Sequence, residues 1–158
     1  MSVNHSLDVE PLLNAELAHQ TSAKRYLIEK MRENYALWEF GLEGRRVPQH
    51  NLEYVQSKIP SEDKRRTIWL SQLAREGVLE TWNSMIDSLA EKEEMLVHIS
   101  INLESIEGLK GVSTNCLSGG ISTEDAVEMV YQAGLRLGRV NKLTSVDLCE
   151  YNPYVEDQ

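Results

Sequence analysis

Short apolar runs alternate with longer amphipathic stretches along almost the whole chain. Residues 22–32 read as a helix, with Leu27 and Met31 four apart on one face. Residues 36–40, rich in aromatics and closed by Gly41 and Gly44, read as a strand. Pro48 suits the first turn of a second helix through Val55, and residues 67–70 form a further strand. The clearest helix carries Val78, Trp82, Met85 and Leu89 on one stripe, with Gly77 near its start. Residues 96–101 are nearly all apolar, as expected for a strand covered on both faces. Ser122 is a good N-cap, and Glu124 and Asp125 complement the dipole of the helix that follows. Ala126, Val130 and Leu137 of that helix face the core, and residues 143–148 make a last strand. Val3 stands at the end of a first, truncated strand.

Strand and helix alternating in this way predict βαβ units: an α/β fold with a mostly parallel sheet of about five strands and helices on both faces. Residues 59–66 read as a polar connection, and Lys64-Arg65-Arg66, preceded by Glu62-Asp63, as a solvated turn. No internal repeat, low-complexity tract or second domain is visible, so the 158 residues are expected to form one domain.

The formal net charge of −9 argues against nucleic acid and anionic membrane surfaces, both of which need clustered Lys and Arg. No apolar run approaches the ~20 residues that span a bilayer. The opening residues have neither the basic nor the apolar region of a secretory signal, and no Arg-rich presequence. The expectation is an intracellular protein, cytoplasmic and mitochondrial locations being undistinguished. Cys116 and Cys149 lack CxxC spacing and read as buried free thiols. P-loop, GxGxxG, GxSxG, HExxH and paired zinc CxxC signatures are absent.

A set of turns and strand ends carries the functional signal. The run Asn4-His5-Ser6-Leu7-Asp8-Val9-Glu10-Pro11-Leu12 comes first, then His19-Gln20-Thr21 and Phe40-Gly41-Leu42-Glu43-Gly44. Ser100-Ile101-Asn102-Leu103-Glu104 ends the apolar strand, followed by Gly111-Val112-Ser113, Gly119-Gly120-Ile121-Ser122 and Glu150-Tyr151-Asn152-Pro153. In order and spacing these resemble the arginase/agmatinase/formimidoylglutamase (ureohydrolase) family, nearest its formimidoylglutamase branch. The resemblance implies a partial three-layer α-β-α arginase-like fold, a truncated ureohydrolase-like domain over residues 1–158 that lacks the family's N-terminal half and last helix.

The family's activity, as the resemblance implies it, rests on two Mn²⁺ ions held by Asp and His side chains, which share an activated water. Here Asn4 stands for the first Asp, Ser6 for His and Asn102 for an Asp, while Asp8 is kept and Glu104 replaces a shorter Asp. Asp8 and Glu104 are thus remnant ligands, and Asn4, Ser6 and Asn102 degenerate ones. Two unit charges at ~4 Å cost roughly 4 kcal/mol at an effective dielectric of about 20, and two divalent ions four times that, so halving the carboxylates disfavours a metal pair. A single Mg²⁺ or Ca²⁺ at Asp8 and Glu104, or no metal at all, are the alternatives. His19 matches the family's proton-shuttling His, and Glu150 the glutamate that faces the cationic end of the substrate. Glu10 stands where formimidoylglutamases carry Arg, which disfavours a substrate carboxylate there. In a strand His5 points away from Asn4 and Ser6 and does not replace the lost His. His98 reads as a core or interface histidine, and His50 as a helix-surface one.

Three readings follow. The first is a catalytically degenerate domain, with no cofactor, acting as a structural or regulatory subunit beside a protein partner or further copies of itself. The second is an active metal-dependent hydrolase of linear amidines that uses Mn²⁺ with altered ligands. The third is a relic with no selected role, which intact helix caps and apolar periodicity argue against.

Overall fold

The computed structural model describes residues 1–3, 21–31, 34–109 and 120–151. The described strands are β1 (Ser2–Val3), β2 (Leu37–Leu42), β3 (Arg65–Trp69), β4 (Val97–Asn102) and β5 (Leu143–Cys149). The helices are α1 (Thr21–Met31), α2 (Gln49–Lys58), α3 (Leu70–Glu76), α4 (Val78–Glu91) and α5 (Thr123–Arg139). The strands form one sheet in the order β3-β2-β1-β4-β5, and all their pairings are parallel. The expected α/β architecture is what folds.

Two apolar clusters hold the three layers together. On one face Ile28 of α1, Val55 of α2 and Ile59 pack with Leu37 and Leu42 of β2. On the other, Leu73 of α3, Trp82, Met85, Ile86 and Leu89 of α4, and Met129, Ala133 and Leu137 of α5 cover Phe40, Ile68, Ile99 and Ile101. Gly77, at φ 86, is the joint between α3 and α4: its N–H caps Leu73, while its carbonyl accepts the Thr81 hydroxyl at 2.7 Å. A side chain there would be strained. Ser122 caps α5 as expected, its hydroxyl accepting from the Asp125 N–H at 3.0 Å.

Several expectations shift. In α1 Leu27 and Met31 are exposed, and among the described side chains Ile28 is the buried one, because the helix presents a neighbouring face. β3 begins at Arg65, so Arg65 and Arg66 are half-buried strand residues and only Lys64 belongs to the preceding turn. Ile59, read as part of a polar connection, is a core residue. In α5 Met129 and Ala133 are buried, whereas Val130 is half-buried. β4 is not covered evenly on both faces: on one face His98 is exposed and Ser100 half-buried, and only Asn102 at its end is buried. Leu96 lies outside the strand and is 71% exposed. Cys149 is half-buried rather than buried, and Cys116 lies outside the described residues.

Candidate functional site

The strand order reverses at β1. The chain steps outward through β2 to β3, then resumes on the other side of β1 with β4 and β5. In open α/β sheets the carboxyl ends of the strands beside such a reversal form the ligand crevice. β1 ends at Val3, opposite Ile101 of β4. Asn4, Ser6 and Asp8 follow it in sequence, and with His5, Glu10 and His19 they lie outside the described residues.

β4 delivers the described part of the site. Asn102 ends the strand, and the chain then turns through a single 3-10 turn, Leu103–Ser105. The Asn102 side-chain oxygen accepts the Glu104 N–H at 3.1 Å, capping that turn. Glu104 and Ser105 are buried. The turn is pinned to the segment entering α5. The Ile121 N–H donates to the Ser105 carbonyl at 2.9 Å, and the Glu107 N–H to the Ile121 carbonyl at 2.8 Å.

Gly120 makes this close approach possible. A Cβ there would lie 2.7 Å from the Ser105 carbonyl oxygen and 2.9 Å from the Glu107 nitrogen, both backbone atoms that cannot step aside alone. Gly120→Ala is expected to cost about 1–3 kcal/mol, the range for forced overpacking. Urea denaturation measures it, and an unchanged midpoint would show that the two segments part freely.

Glu150 follows β5 directly and is half-buried, with a left-handed φ of 68. Its neighbour Cys149 pairs with Asn102 across β4 and β5, so Asn102, Glu104 and Glu150 share the carboxyl edge of the sheet. His50 is on α2 and exposed, as expected.

The polar face of β4 and β5 was missed. His98 bonds to Ser145 Oγ through Nδ1 at 2.7 Å and to Asp147 through Nε2 at 3.0 Å. The Cys149 thiol donates to Asp147 at 3.1 Å and lies 3.5 Å from Ser100 Oγ. Partial burial opposes ionisation of Asp147, but hydrogen bonds from Ser100 and Cys149 and the nearby His98 outweigh it and hold its carboxyl below the ordinary 3.8. Burial first, then the Asp147 carboxylate, pushes the Cys149 thiol upward, away from a reactive thiolate. The available signal was the period-two spacing of polar residues at 98, 100, 102 and at 145, 147, 149.

The donor set bears on metal binding. Asn102 is neutral, and one lone pair of its oxygen is already spent on the Glu104 N–H; its amide nitrogen donates only. Among the described residues no three His, Cys, Asp or Glu side chains are grouped to hold a metal ion. Of the expected ligand positions only Asn102 and Glu104 lie among the described residues, and of the two only Glu104 is a carboxylate.

No protein-family model matches the sequence, and no curated protein matches it at significance. Solved structures do match. A Trypanosoma cruzi formiminoglutamase variant with Mn²⁺ aligns over 99% of this chain and 49% of its own, at 23% identity and a TM-score of 0.75. Formimidoylglutamase from Bacillus subtilis aligns over 98% of this chain and 45% of its own, at 15% identity and a TM-score of 0.79. For proclavaminate amidino hydrolase from Streptomyces clavuligerus the figures are 98%, 46%, 17% and 0.72. The chain spans about half the length of each of these structures. Its strand order, its layers and these alignments establish that the described residues have the arginase-like α/β fold of the ureohydrolases.

Proposed function

We propose that this chain is a catalytically degenerate ureohydrolase domain that serves as a structural or regulatory part of a larger assembly. The observation that supports it is the Asn102 cap: at the end of β4, beside the strand reversal, a neutral amide is engaged with the backbone of the next turn. Asn4 and Ser6 extend the same substitution of neutral groups for charged ligands at sequence level. Without enough negative charge to offset two divalent ions, no hydroxide forms near neutral pH. His19 and Glu150 then occupy catalytic positions without a nucleophile to serve.

A role within an assembly is supported by β5. It is the last described strand on its side of the sheet, and Val146 and Leu148 are exposed along it. Such an edge is a template for pairing with a further protein segment or a second copy. None of the described helices is long and apolar enough to cross a membrane.

A second reading is metal-dependent hydrolysis of linear amidines such as formimidoylglutamate or guanidino compounds, with Asp8 and Glu104 on Mn²⁺. Burial of Glu104 beside the strand reversal favours it. The test is ammonia, formamide and urea release from such substrates with Mn²⁺ present. The degenerate reading predicts no turnover, and catalysis lost on Glu104→Gln would establish the second.

A further inference from the structure

One flank of α5 faces α4: Arg136 pairs with Asp87 at 2.6 Å, and the Met129 carbonyl accepts the Trp82 indole N–H. The opposite flank carries Val127, Tyr131, Gly134 and Gly138, which lie within about 60° of arc at 3.6 residues per turn. Val127 is 66% and Tyr131 57% exposed, and a Cβ on Gly134 or Gly138 would meet nothing within 4 Å. β5 is the last described strand on this side of the sheet, so its outer backbone groups form an open edge. Val146 and Leu148 stand beside Ile99 and Ile101 of β4 and share their face of the sheet, the one α5 covers, yet both are exposed. Among the described residues, helix layer and sheet layer thus end open together, with apolar residues in each.

We propose that this side is a self-association surface whose occupant is a second copy of the chain, related by a two-fold axis perpendicular to the sheet. The proposal rests on the assembly role given above and names its partner; it is independent of whether the carboxyl edge is catalytic. Self-complementarity carries it. An axis beside the midpoint between Gln132 and Ala133 sets the two α5 helices antiparallel. Tyr131 of each copy then lies opposite Gly134 of the other, and Val127 opposite Gly138, so each large side chain meets open space. The acidic first turn, Glu124 and Asp125, approaches the last turn of the copy, where Arg139 is exposed. The same axis serves the strands. From Arg139 back to the helix midpoint is about 10 Å at 1.5 Å per residue. From Leu143 to Val146 is also about 10 Å, at 3.3 Å per residue. β5 therefore pairs antiparallel with its copy about Val146, which sets Ser145 opposite Asp147 and Thr144 opposite Leu148, with no like charges opposed. Such a two-fold contact closes on itself and removes the open edge.

Sedimentation equilibrium of the chain tests this. At about 10 µM and above, the expected mass is twice the 18.0 kDa of one chain. Gly134→Gln combined with Gly138→Gln fills the space that Tyr131 and Val127 of the copy enter, and is expected to weaken association at least ten-fold, or about 1.4 kcal/mol. At dilutions where the parent is monomeric too, this variant is expected to melt higher than the parent, since glutamine is the better helix former and its Cβ meets nothing within the chain. A variant that simply failed to fold could not give both results. Val146→Lys sets two lysines against each other across the axis and is expected to weaken association as much, with helix content by circular dichroism unchanged. A parent that stays monomeric throughout that range, a mass above two chains, or a dimer that both variants leave equally tight would each overturn the pairing. A monomeric parent would leave the assembly role to a different protein, so the two readings fail separately.

Discussion

Trp82→Ala is expected to lower stability by about 3–5 kcal/mol, the upper range for large-to-small core changes. Trp82 is fully buried on α4 and ties three elements together. Its ring meets Phe40 of β2 edge-on, with centroids 5.1 Å apart and planes at 81°. Its indole N–H donates to the Met129 carbonyl of α5 at 2.9 Å. Truncation opens a cavity between sheet and helices and removes the bond that fixes α5 against α4. Trp82→Phe separates the two effects: it keeps much of the apolar volume and drops the N–H, and is expected to cost about 1–2 kcal/mol, mostly from that bond and the smaller ring. Urea denaturation gives both values. An alanine variant within 1 kcal/mol of the parent, by order of magnitude, would mean that this core does not bear on stability as packing requires.

Lys24→Met is expected to cost about 3 kcal/mol, because it takes the lysine from a carboxylate that stays buried. Lys24 of α1 donates to Glu39 of β2 at 2.8 Å, with side-chain exposures of 16% and 1%. The same carboxylate, after burial itself, helps hold the Tyr35 phenol up at about 12. The double variant Lys24→Met with Glu39→Met is expected to recover most of the loss, since replacing a whole buried pair by apolar groups is often neutral. The coupling comes from a double-mutant cycle. Simple addition of the two single losses would show that the residues act independently and that the ion pair does not join α1 to the sheet.

The fold was legible because its signals are local and agree with one another. The Val78, Trp82, Met85, Leu89 stripe, the Ser122 cap and the recurring apolar residues at 96–101 and 143–148 each specify an element from neighbouring residues. Boundaries moved where tertiary packing decides. Arg65 and Arg66 look like a charged turn in sequence, but they pair with Leu37 and Trp38 of β2, with Arg66 laid over the Trp38 ring. The choice between Leu27 and Ile28 as the buried residue of α1 depends on where α2 and β2 lie, which one helix cannot state. The carboxyl-edge positions Asn102, Glu104 and Glu150 were legible through motif order. What the sequence hid is pairing between elements: His98 with Asp147 across β4 and β5, which follows from strand register, and Lys24 of α1 with Glu39 of β2, which follows from how the helix packs on the sheet. Asp8, Asn4, Ser6 and His19 belong to the same reading and lie outside the described residues.

Manganese stoichiometry decides the degenerate reading most directly. The chain, equilibrated with excess Mn²⁺ and then dialysed free of loosely held ion, is assayed for metal by elemental analysis. With neutral Asn102 capping its own turn, the retained manganese should fall well short of a pair per chain. Two tightly held ions per chain would contradict that and return the carboxyl edge to hydrolytic chemistry.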